Sequence, residues 1–376
     1  MVNPHALLLE QAPDGVLRAV LPRTDPEVRR ELFSVFCPVG PRLAQSIVAH
    51  GPFELRMALT KARPTTPEVL LRLVEGGDAR VVAGVLAYDR TPREVMLRVM
   101  PVLPIDELMR PVRDPSVRVG ERQRHAAVLV EHDDPRIVLE AMAAMVASPM
   151  FSGVTPTVLH GYARLLSLLG PAQAVARAGW MLSRLREPSE PVRRAQAAPG
   201  DTDLVAQAVA DESSTRAVIE HLRTHDSAGH PQQRLTAPRA PLDWEMIRAQ
   251  HRHRPFPSPV LAALADQIGC PWEIRDARQR SAETGGWSPR DYRAARETLV
   301  LPAAEVVATV VPAYNALRTV RVGGLQRVDD AVRAVGELTV PTLGTDVDAW
   351  TIALTLLADF AGTLPELLDT ARAAVT

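Results

Sequence analysis

Lysine is almost missing from this 376-residue chain: Lys61 is the only one, and the other 42 of its 43 basic residues are arginine. That scarcity excludes the phosphate-binding GKS or GKT loop, the kinase lysine and the SxxK pair. It also excludes a Schiff-base lysine, unless Lys61 itself serves from the loop-like segment ALTKARPTT. The arginine bias, with abundant Ala, Pro and Gly, is what a GC-rich coding genome produces. Cysteine is scarce too. Cys37 and Cys270 are far apart, each precedes a proline, and neither belongs to a CxxC pair, so both read as small buried residues. Aromatic residues make up only 4%, which favours helices over sheets.

Charge of either sign in excess is missing as well, since 43 basic side chains face 44 acidic ones. A protein gripping DNA through its phosphates would carry a basic surplus, and a disordered chain would fall short of 46% hydrophobic residues. The amino terminus, MVNPHALLLEQAPDG, lacks a basic n-region and has only four consecutive apolar residues. The apolar run from Trp350 to Leu357 stops before Asp359, far short of a membrane span. A soluble, cytoplasmic protein with no membrane partner is expected. GxSxG, HExxH, GxGxxG, DFG and the deaminase HxE with PCxxC are all missing, so a non-enzymatic role without a cofactor is expected.

A repeated helix start is the strongest feature present: a capping side chain followed by proline, whose missing N–H costs nothing in the first turn. It recurs at Asp25-Pro26, Thr66-Pro67, Thr91-Pro92, Asp114-Pro115, Asp134-Pro135 and Thr155-Pro156. The spacing suits one helix with its turn, or half of a two-helix repeat. In TPEVLLRL, Val69, Leu70 and Leu73 fall on one helical face. An acidic-x-x-Val-Arg element is interleaved. Asp25 to Arg29 and Asp114 to Arg118 match it fully, while Glu190 to Arg193 and the segment from Asp78 are looser copies.

On these segments, residues 20–195 resemble HEAT repeats, or the related leucine-rich-repeat variant with its TPxEVL-type helix. The resemblance implies an all-α fold, an α-solenoid in which Asp25, Arg29, Asp114 and Arg118 form a structural ladder between successive units. It implies little about function, because such solenoids serve as scaffolds, inhibitors, nucleic-acid binders and occasional enzymes.

Residues 1–195 are thus expected to form the solenoid. Residues 196–240, with APGDTD, HDSAGHPQQ and TAPRAP, should be an irregular connector around one short helix near Thr215 to Thr224. Residues 241–376 should be a C-terminal helical region that caps the stack. Its stretch from DWEMIRAQHRHRPF to LAALADQIGCPWEI resembles segments of helical-repeat proteins of high-GC bacteria. Helices are expected around Val306 to Val320, Val328 to Leu338 and Ala349 to Val375, with Gly323-Gly324 as a turn.

Charge is unevenly spread. From Arg223 through Arg296 there are 12 Arg against 8 acids, and from Val328 onward 8 acids against Arg333 and Arg372. The basic stretch, residues 223–296, could meet an anionic partner. Arg248, His251, Arg252, His253 and Arg254 are the anion-binding candidates, the histidines adding charge as pH falls. The alternatives are solvated helix faces that simply differ in sign, which is the favoured reading, and mutual docking of the basic and acidic stretches as an internal clamp. His221 and His225, four apart in EHLRTHD, are weak metal candidates, since Leu222 stands where a metalloprotease needs Glu. The DxD strings at Asp201 and Asp346 read as helix caps rather than cation sites. Trp244, Trp272 and Trp287 in the basic segment suit either core packing or a stacking surface. The favoured expectation is a protein-binding or scaffold role. The rival is a HEAT-like nucleic-acid binder or DNA glycosylase-like enzyme, so nucleic acid stays open as a partner.

Overall fold

The computed structural model describes residues 3–33, 39–61, 65–88, 90–147, 153–185, 188–224, 230–283, 300–319 and 325–376. Every regular element among the described residues is helical, so the protein is all-α. Cys37, His225, Trp287 and the Gly323-Gly324 turn lie outside them. No helix among them is long and apolar enough to cross a membrane.

In chain order the first helices are α1 (Pro4–Leu9), α2 (Asp14–Val20), α3 (Pro26–Leu32), α4 (Pro41–His50), α5 (Phe53–Lys61), α6 (Pro67–Glu75) and α7 (Ala79–Ala87). Next come α8 (Arg93–Val99), α9 (Ile105–Arg113), α10 (Val119–Leu129), α11 (Pro135–Val146), α12 (Val154–Leu169) and α13 (Pro171–Leu182). Then follow α14 (Glu190–Ala197), α15 (Thr202–Ser213), α16 (Thr215–Thr224), α17 (His230–Thr236), α18 (Trp244–His253), α19 (Ser258–Ala265) and α20 (Trp272–Glu283). The last are α21 (Ala303–Thr309), α22 (Ala313–Thr319), α23 (Leu325–Leu343), α24 (Val347–Leu356) and α25 (Leu364–Ala373).

Several starts follow the capping rule. The Thr66 hydroxyl accepts from Val69 N–H, and Asp134 accepts from Arg136 N–H at 2.8 Å. Asp201 and Asp346 cap α15 and α24, each accepting two backbone N–H groups, as their DxD strings led us to expect. Thr91 does not cap α8, which starts after Pro92, Thr155-Pro156 lies inside α12, and Asp114-Pro115 also behaves differently. Asp114 accepts both the N–H and the hydroxyl of Ser116, closing a turn, and α10 begins only after the extended Arg118. Lys61, expected in a loop, is the last residue of α5.

Contacts gather the chain into two units. The first joins residues 1–88 to 276–376. Within it α1 packs on α22 and α23, α2 on α4 and α24, and α5 and α6 on α7. Its core includes Leu8, Leu17, Leu43, Leu59 and the fully buried Trp350, whose indole N–H donates to Gly344 C=O at 3.1 Å. Glu10 on α1's C-terminal side accepts the Arg42 and Leu43 N–H groups at 2.7 and 2.9 Å, a cap for α4 supplied from another helix.

The second unit, residues 89–275, holds both expected boundaries, 195 and 241. From α9 to α13 each helix packs on the next, and α12 and α14 both pack on α15. Met142, Met145, Leu159, Tyr162 and Leu165 are fully buried there. Gly170, at φ 78°, makes the sharp break between α12 and α13 that a side chain would oppose. The span 196–240 contains α15, α16 and α17 rather than one helix, and it buries Val205, Val218, Leu222 and Leu235. Among the described residues, 198–201 and 237–240 lie outside these helices, and part of the polar stretch HDSAGHPQQ is in α17.

Candidate functional site

The basic candidates sit at the C-terminal end of α18. Arg248 is engaged by carboxylates on two helices, Glu245 at 2.7 Å and Glu273 at 2.5 Å. His251 stacks on Phe256 with ring centroids 5.7 Å apart, and its Nδ1 accepts the Phe256 N–H at 3.0 Å. An accepting Nδ1 has no proton, so this imidazole is held neutral; burial and the Arg223 charge both lower its pKa. Arg223 of α16 lies 4.1 Å above the Phe256 ring and donates to the carbonyls of Gln250, Arg254 and Pro255, closing the helix end. Arg252, His253 and Arg254 stay exposed. Of the five candidates, two are thus committed to packing and three face solvent.

His221 is half-buried on α16, its proposed companion lies outside the described residues, and no group of three or more metal-ligating side chains forms among the described residues. Asp25 accepts Glu27 N–H at 2.7 Å within its own turn, as Asp114 does with Ser116. Arg118 is exposed and Arg29 half-buried. Other pairs brace neighbouring helices: Arg56 with Asp78, Arg113 with Glu140 at 2.8 Å, and Arg164 with Asp133.

A more extensive polar constellation gathers at the start of α8. Arg93, nearly buried, pairs with Glu131 just beyond α10 and donates to Ala127 C=O. The other oxygen of Glu131 lies 2.8 Å from His160 Nε2 on α12. Glu94, next to Arg93, receives Arg239 at 2.8 Å, and Arg239 also donates to Gln267 at 3.1 Å. Asp266, beside Gln267, lies 3.6 Å from Arg90. One ionic chain therefore links α8, α10, α12, the segment after α17 and the end of α19. Nearby, Arg234 donates to Glu212 C=O at the end of α15.

Electrostatics follow from burial. Desolvation pulls Arg93 and Arg239 below the ordinary arginine value and Arg234 down to about 10. Burial pushes Glu131 upward, but the His160 hydrogen bond and the Arg93 charge outweigh it and keep the carboxyl low. His125, on the same α10, is lowered to about 3 by burial and by Arg124. A carboxylate that orients an imidazole is half of a general-base arrangement. Among the described residues no hydroxyl or thiol hydrogen-bonds to His160.

None of Arg93, Glu131, His160 and Arg239 stood out in the sequence as a site. The usable signals were Arg93 and Glu94 inside the TPRE helix start and the charged turn Glu131-His132-Asp133-Asp134. No protein-family model matches the chain, and no curated protein or solved structure is significantly similar to it.

Proposed function

We propose that the protein is a non-enzymatic binding or scaffold protein of the cytoplasm, an α-solenoid of HEAT-like repeats with a C-terminal helical cap, and that it recognises another protein through its helix surfaces. The ionic chain at α8 carries this reading. Its members engage one another, so the buried charge braces helices and leaves recognition to the outer faces. The consecutive packing from α9 to α13 supports the repeat-like arrangement. Affinity purification of the cross-linked protein from its native host tests this. A defined protein partner in stoichiometric yield is expected; recovery of the chain alone overturns it.

The exposed Arg252, His253 and Arg254 favour a second reading, a nucleic-acid contact at the end of α18. It requires a mobility shift on DNA or RNA that weakens as salt rises and is lost in the Arg252→Ala/Arg254→Ala variant.

A further inference from the structure

We propose that the outward face of α13 docks an acidic segment of a partner protein, with Trp180 as the apolar anchor and Arg177 and Arg184 as flanking cations. This rests on the protein-binding reading above and names its surface. Trp180 is 51% exposed on a helix whose neighbouring large apolar side chains, Met181 and Leu182, are buried. Arg177 lies one turn before it on α13 and Arg184 lies in the turn just past the helix end, and all three are exposed. Ala172, Ala176 and Gly179 beside them leave the ring unshielded on a low surface that a partner backbone can approach.

Charge points to the kind of partner. From Ala141 through Arg186 the chain has no Asp or Glu. Arg113, Arg136, Arg193, Arg239 and Arg248 elsewhere in the unit are paired with carboxylates; Arg177 and Arg184, like the exposed Arg118, Arg194 and Arg216, make no ion pair among the described residues. A carboxylate-bearing partner would supply the missing counter-charge, and Trp with Arg is the composition of an interface anchor. A second copy presenting the same face would set arginine against arginine. A nucleic-acid backbone would need a broad basic field, and residues 89–275 hold 23 arginines against 22 carboxylates.

The test uses the full chain and a fluorescein-labelled random glutamate–tyrosine copolymer as the acidic, aromatic probe, read by anisotropy. Binding should weaken with salt. Trp180→Ala, Trp180→Tyr and the Arg177→Glu/Arg184→Glu variant address the two contributions separately. Trp272→Ala, at a residue 50% exposed elsewhere, is the control. Trp180→Ala and the double reversal should each lose at least about tenfold in affinity, Trp180→Tyr less, and Trp272→Ala should stay near wild type.

No binding of the copolymer, or equal binding by all variants, overturns the proposal. So does tighter binding of a thymidine 20-mer that the same variants abolish, or self-association in sedimentation that they abolish. Host-partner capture separates the two levels of claim. If wild type and variants capture the same protein, this surface is wrong and protein binding stands; if wild type captures none, the broader reading fails.

Discussion

His125 is 2% exposed, and its imidazole is driven down to about 3 by burial first and by the Arg124 charge second. The unfolded chain, with an ordinary histidine near 6.5, binds a proton that the folded chain refuses between those values. Stability should therefore fall with pH below about 6.5, by about 1.4 kcal/mol per unit from this residue alone. Urea unfolding between pH 7.5 and 5.5 measures the slope in a window above the ordinary carboxyl range, where Glu131, held below that range, stays ionised. His125→Leu should flatten that slope, and an unchanged slope in the variant would place the proton elsewhere. Arg93 offers the complementary case. Arg93→Ala would leave Glu131 facing only His160 in a largely buried site, at a cost of about 3 kcal/mol in unfolding free energy. A loss below about 1 kcal/mol would mean that water replaces the guanidinium freely. Neither residue was legible as important, because Arg93 and Glu131 are 38 positions apart and no local pattern pairs them.

Helix starts were legible where the cap is local. Thr66 and Asp134 precede proline and bond N–H groups of their own first turns, so sequence and structure agree there. The same pattern misled at Asp114, where Ser116 competed for the carboxylate and turned the chain before a helix could begin. α4 was beyond local reading altogether, since its capping carboxylate is Glu10, 32 residues before Arg42. Gly40 is the companion of that cap. A methyl group added there would lie 2.2 Å from Glu10 Oε2, so the carboxylate must leave. Gly40→Ala should then cost about 2 kcal/mol, the scale of a lost cap plus unsatisfied N–H groups. Glu10→Ala should cost a similar amount, and the double variant little more than either single one, because both remove the same interaction. Full additivity in a thermal-denaturation cycle would show that the Gly40 effect is unrelated to Glu10.

Periodicity tells which face of a helix is buried but not which helix covers it, and that is why the grouping of the whole chain escaped the sequence. Leu7 to Leu9, in the short apolar run of the amino terminus, and Leu17 carry no signal that names the helices covering them. Their covering partners are α22, α23 and α24, roughly three hundred residues later. Within that unit Arg23 also meets Asp348 at 3.1 Å, an exposed pair that adds little energy. The apolar contacts carry the association, and removing either segment would strip a core face from the other. A fragment of residues 276–376 should therefore be poorly ordered alone and gain helix when mixed with residues 1–88. Residues 89–283, which keep α20 whole, have their own core in α9 to α15 and should unfold cooperatively by themselves. Circular dichroism of the three fragments, alone and mixed, decides this. Independent folding of 276–376, or no gain of helix on mixing, would mean that the α1 and α2 contacts do not hold the first unit together.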